Sequence, residues 1–113
     1  MSVEVILIDE NKQIVETNIV EYVDNKDDFT YVDDNDAVCR IKVFSDGLLI
    51  RKSAFEYELE LSLRNEAYTK VVTTEGEIQL DTKVVDFIQN DDILVMRYLI
   101  DNEKKEIKIN YRS

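Results

Sequence analysis

The chain has 113 residues, 25 of them acidic and 14 basic, for a net charge of −11; that is the size of one domain with one core, and the charge repels phosphate backbones and anionic membranes, so neither nucleic acid nor membrane is an expected partner. Histidine is absent and only two glycines occur, which excludes Ser-His-Asp and Cys-His catalysis, the commonest zinc ligand and any Gly-rich phosphate loop. With one cysteine, Cys39, no internal disulfide can form, and the start "MSVEVILIDENK" lacks the basic and long apolar regions of a signal peptide, so a single cytoplasmic domain over 1–113 is expected.

Period-two alternation dominates the chain. About ten extended runs can be read, at 2–8, 13–23, 29–33, 37–45, 48–51, 54–64, 68–74, 77–89, 92–101 and 106–112. Short polar punctuation separates them, as in consecutive antiparallel hairpins. The first run, "SVEVILID", is apolar on both faces, and 13–23 has no clean inward set.

From residue 37 onward the turns predict neighbours. An Asp46-Gly47 tip sets Val43 opposite Ile50 and Lys42 opposite Arg51, since a type I′ turn needs positive φ at both central residues. A Lys52-Ser53 tip sets Ile50 opposite Phe55 and Leu48 opposite Tyr57. A Glu75-Gly76 tip pairs Val71 with Leu80, Thr73 with Ile78 and Lys70 with Asp81, and the "NEA" loop puts Leu61 beside Val71. An Asn90-Asp91 tip pairs Phe87 with Leu94 and Val85 with Met96. Inward parity changes along 77–89, which predicts a β-bulge near Val84. Tyr98 then faces Ile109, and Met96 faces Tyr111.

These registers share one apolar face. With no helix to cover it, the sheet is expected to curl on itself. The predicted fold is all-β: an antiparallel up-and-down meander closing into a calycin/lipocalin-like β-barrel of roughly 8–10 strands.

The stretch from Asp46 to Tyr111 resembles the YwiB-like bacterial proteins, a family of unknown function with a calycin-like β-barrel. The matching segments are "SDGLLIRKSAFEYELEL", "TTEGEIQLDT", "ILVMRYLI" and "IKINY", with "FTYVDDND" upstream. The matching positions are Arg51, Gly76, Thr82 and Tyr98, while Ser53 and Val71 stand where the family tends to have Gly and Tyr. The resemblance implies a barrel with a ligand cavity. It implies no catalytic residue.

Each chemical feature has a plainer counterpart. In "FEYELELSL", Glu56, Glu58 and Glu60 lie about 6.8 Å apart along one strand face, a spacing glycosidases use. They fall on the polar side of an alternating strand, where they are solvated. The acidic clusters at 24–28, 33–36 and 90–92 lack the EF-hand spacing and its glycine, so no metal site and no cofactor are expected. Cys39 shares inward parity with Ile41 and Val43 and reads as an inert apolar filler.

Tyr57, Thr69, Thr73, Thr82, Tyr98 and Tyr111 also point inward beside Cys39. Two readings stay open: their hydroxyls satisfy one another in a filled core, or they anchor a ligand in an amphipathic pocket. The second makes Tyr57, Thr69, Thr82, Tyr98, Tyr111 and Cys39 the candidate site, in a non-enzymatic binding module for a small, partly apolar molecule. The alternative is an interaction or structural module, acting through its acidic outer face or the 13–23 edge strand, with a homodimer as its simplest form.

Overall fold

A computed structural model describes residues 1–112. Eleven strands run in chain order: β1 (Ser2–Ile8), β2 (Ile14–Val20), β3 (Asp28–Val32), β4 (Val38–Phe44), β5 (Gly47–Ser53), β6 (Tyr57–Leu63), β7 (Tyr68–Thr73), β8 (Gly76–Leu80), β9 (Thr82–Gln89), β10 (Ile93–Ile100) and β11 (Glu103–Arg112). Among the described residues no helix is long and apolar enough to cross a membrane.

The all-β, antiparallel expectation agrees with this architecture, but the strands divide into two sheets. The first has the order β2-β1-β11-β10-β9, and the second β3-β4-β5-β6-β7-β8. Among the described residues no ladder joins β8 to β9 or β2 to β3. The predicted run 77–89 therefore splits at Asp81, where the chain passes from the second sheet back to the first. The Asp101 amide donates to Asp81 O at 2.9 Å and ties down this corner.

Neighbours along the meander are as predicted, while the registers slide. Val43 pairs with Leu48 instead of Ile50. Leu48 pairs with Leu63 instead of Tyr57. Leu61 pairs with Thr69, and Val71 with Ile78. Met96 pairs with Phe87 and Ile107. Each slide is by an even number of residues. An even slide keeps every side chain on its face, so the apolar face survives although the partners change.

The turns explain the slides. Phe44 pairs with Gly47, so Ser45 and Asp46 form the tip and Gly47 opens the next strand. The same shift puts Thr74 and Glu75 at the tip before Gly76. Phe55 and Glu56 form the next tip, closed by the Ala54 amide on Tyr57 O. Phe55 was expected inside and is instead fully exposed. Positive φ at two successive residues, the type I′ signature, occurs at Asp101 (50°) and Asn102 (67°). The predicted bulge is present: the β9–β10 register shifts opposite Arg97/Tyr98, leaving Val85 as the extra residue.

The two inner faces supply one core. Val3 and Val5 (β1), Ile41 (β4), Leu48 (β5), Leu63 (β6), Leu94 and Met96 (β10), and Ile107 and Ile109 (β11) are almost wholly removed from water. Burying a side chain of this size contributes about 2 kcal/mol.

Candidate functional site

The predicted site residues do not converge on one place. Thr69 and Thr82 do meet, with their hydroxyl oxygens 2.6 Å apart. Thr82 donates its one proton to Leu80 O at 3.0 Å, so Thr69 is the donor between them. This bond crosses from β7 to β9 at the seam that no ladder closes. Tyr98 is buried, and burial pushes its phenol up to about 12. Tyr111 is likewise pushed up to about 12, by burial and then by the nearby Asp27 carboxylate. Its buried hydroxyl has no hydrogen-bond partner among the described residues, and the Lys26 ammonium lies 5.9 Å from its ring centre. Tyr57 is half-buried beside Thr73. Thr73, expected inside, is exposed because it closes a hairpin tip.

Cys39 belongs to a different cluster. Tyr31, Cys39, Lys52 and Leu59 are successive partners across β3, β4, β5 and β6. Just past β3, Asp33 turns its side chain into this row. One Asp33 oxygen accepts the amides of Asn35 at 2.9 Å and Ala37 at 3.0 Å. The other receives Lys52 Nζ at 2.8 Å and lies 3.7 Å from Cys39 Sγ. Burial alone raises the Asp33 carboxyl, but Lys52 and the two amides outweigh it and hold the group below its usual range. Burial is likewise the largest single influence on Lys52 and opposes its charge, but the Asp33 hydrogen bond and the surrounding acidic groups, Asp33 and Glu16 among them, together outweigh it, so Lys52 is raised. Burial pushes the Cys39 thiol up to about 11. Tyr31 is raised chiefly by burial and next by Cys39. At neutral pH the thiol is therefore protonated and the lysine charged, and neither is a free nucleophile.

The sequence reading missed this ion pair. Lys52 continues the inward series Leu48, Ile50, Lys52, and a lysine at an inward position is a visible signal. Placing Lys52 at a turn tip hid it. Asp33 belongs to the 33–36 acidic cluster, and the absence of EF-hand spacing there says nothing of its burial.

The outward carboxylates are ordinary ion-pair partners. Glu60 accepts from Arg51 Nε at 2.8 Å and from Tyr68 Oη at 2.6 Å. Arg51 lies beside Arg40, not Lys42, and Arg40 in turn grips Asp28 with two bonds. Shallow clefts of about 330 and 430 Å³ lie on the surface, the first over Arg40, Arg51, Glu58, Glu60 and Lys70, the second over Asp46, Arg64 and Glu66.

The remaining feature is an edge. Among the described residues β2 pairs only with β1 and ends its sheet. Ile14, Val15 and Ile19 are 64%, 62% and 63% exposed. Its inward residues are Glu16, Asn18 and Val20, opposite Leu7, Val5 and Val3. Glu16 Oε1 is buried and accepts no hydrogen bond from the described residues. An apolar strand edge with unpaired backbone groups is a template for another strand.

No family model and no curated relative matches the chain. Among solved structures it is similar to the crystal structure of ywiB protein from Bacillus subtilis, at 14% identity and a TM-score of 0.38, covering 99% of this chain and 89% of that one. At that score the likeness is too distant to transfer either fold or function.

Proposed function

We propose that the protein is a non-enzymatic interaction module that docks a partner strand on the open β2 edge. The observation that carries this reading is the exposure of Ile14, Val15 and Ile19 on a strand with one neighbour. Native sheets blunt such edges with charge, proline, bulges, inward-pointing charges or a covering loop. β2 has no proline and no outward charge, and its protection is limited to the inward Glu16 and the bulge at Val15. Strand addition uses main-chain hydrogen bonds for affinity and alternate side chains for specificity.

A ligand between the sheets has less support. The core positions are filled by aliphatic side chains, and Thr69 and Thr82 satisfy each other. Closure into a calycin-like barrel would require the β2–β3 and β8–β9 seams to zip. The Thr69–Thr82 bond spans the second seam through side chains.

The test is a photo-crosslinking residue placed at Ile19 in living cells, with the same residue at Phe55 as a surface control. Adducts formed from position 19 and absent from position 55 support the reading. No adduct from position 19 overturns it.

A further inference from the structure

The β2 edge is complementary to itself. We propose that its occupant is β2 of a second copy of the chain, antiparallel across a two-fold axis through Thr17. This rests on the edge reading above and adds the partner and the register.

A two-fold axis perpendicular to a sheet keeps the inner faces of both copies on the same side. Each residue then pairs with one of equal parity, and the axis passes through one residue and its own copy. Three central registers are available on β2. An axis through Glu16 lays the two carboxylates against each other, and like charges directly opposite are destabilising. An axis through Asn18 sets Glu16 against Val20, which offers it no side-chain donor. An axis through Thr17 sets Glu16 opposite Asn18 of the second copy. That register sets a polar residue opposite each Glu16, whose Oε1 is buried within its own chain and accepts no hydrogen bond from the described residues.

The outer face agrees. The Thr17 axis sets Val15 opposite Ile19 of the second copy, twice, and covers two of the most exposed aliphatic side chains of the molecule with each other. Charge agrees as well. The chain carries −11 overall, yet Ile14–Val20 holds a single ionisable group. The two Glu16 residues would sit roughly 8 Å apart, offset by two positions along the strands. The two five-stranded sheets would then run on as one, removing the β2 edge from both copies.

The experiment uses the purified full-length chain. Sedimentation equilibrium is expected to show a monomer–dimer equilibrium, and Ile19→Lys is expected to weaken the dimer by more than about tenfold without changing the far-ultraviolet circular dichroism. Thr17→Cys fixes the register. A residue opposite its own copy has Cα atoms about 4.5–5.5 Å apart, within disulfide reach. Mild oxidation is therefore expected to give a covalent dimer from Thr17→Cys. Val15→Cys is expected to give none, since its copies would lie about 14 Å apart along the strand. A wild-type chain that stays monomeric at millimolar concentration overturns self-pairing, as does a dimer that Ile19→Lys leaves intact. A dimer that Val15→Cys crosslinks and Thr17→Cys does not overturns the Thr17 axis. A monomer whose position-19 crosslinker still captures other proteins overturns self-pairing and leaves the edge reading standing.

Discussion

Asp33→Asn separates the two jobs of the Asp33 side chain. The remaining amide oxygen can still accept the Asn35 and Ala37 amides, which both bond the same carboxylate oxygen. The other oxygen, 2.8 Å from Lys52 Nζ, is replaced by a donor facing a cation. Breaking a buried ion pair from one side costs about 3–5 kcal/mol. Lys52 keeps 21% of its side chain in contact with water and can swing its ammonium outward, so the loss should fall to about 2 kcal/mol. For a chain of this length that lowers the melting temperature by roughly 8 °C. Lys52→Met leaves Asp33, the more deeply buried partner, charged with only its two amides and should cost at least as much, about 3 kcal/mol. Urea denaturation of the wild type, both single variants and the double variant gives the coupling, expected at about 1–2 kcal/mol. The pH dependence has a sign at each end. Asp33 is depressed in the folded state, so its contribution is present above the unfolded value near 3.9 and is lost as pH falls through the lower folded value. Lys52 is raised, so its contribution is present below about 10.4 and is lost as pH rises through the higher folded value. The gap between wild type and Asp33→Asn should be flat through neutral pH and close at both extremes. A gap below about 0.5 kcal/mol at neutral pH, or one that persists undiminished in strong acid, would refute the ion-pair account.

Other expectations follow from single contacts. Gly47 and Gly76 occupy the same place after a hairpin tip, with φ of 150° and 136°, but a Cβ on Gly47 would lie 1.9 Å from Leu63 O while one on Gly76 meets nothing within 4 Å. Thermal melts should therefore show Gly47→Ala costing more than about 3 kcal/mol and Gly76→Ala about 1 kcal/mol; equal losses would contradict the close-approach argument. Thr82→Val removes the acceptor of the buried Thr69 hydroxyl and should cost about 1–2 kcal/mol, with faster amide exchange at the β8–β9 corner as its local signature. Cys39, at about 11 and buried, should hold only about a thousandth of its thiol as thiolate at pH 8. Ellman's reagent should leave it untouched in the native protein and label it quickly in urea, and rapid native labelling would show the thiol to be reachable.

Alternation by itself determined a good deal of this protein. It marked most of the strands, the antiparallel neighbours from β4 to β8 and from β9 to β11, the inward set of Ile41, Leu48, Leu61 and Met96, and the bulge on β9. Those follow from local physics, because side chains on an extended chain alternate and a buried face demands apolar residues. It also marked the 13–23 segment as a candidate edge, since that segment shows no clean inward set. Register was beyond its reach. A slide of two residues leaves every face unchanged, so Val43 could as well meet Ile50 as Leu48. What decides is backbone conformation at the tips, where Gly47 must lie against Leu63 O and Asp101 and Asn102 take the positive φ values first assigned to Asp46 and Gly47. The site was divided in the same way. Cys39, Thr69, Thr82 and Tyr98 read as inward from the sequence and are inward, but their partners come from other strands. Asp33 reaches Lys52 only because β3, β4 and β5 lie side by side in one register. The division into two sheets at Asp81 likewise rests on contacts between distant parts of the chain, such as the bond from Asp101 to Asp81, which no local pattern encodes.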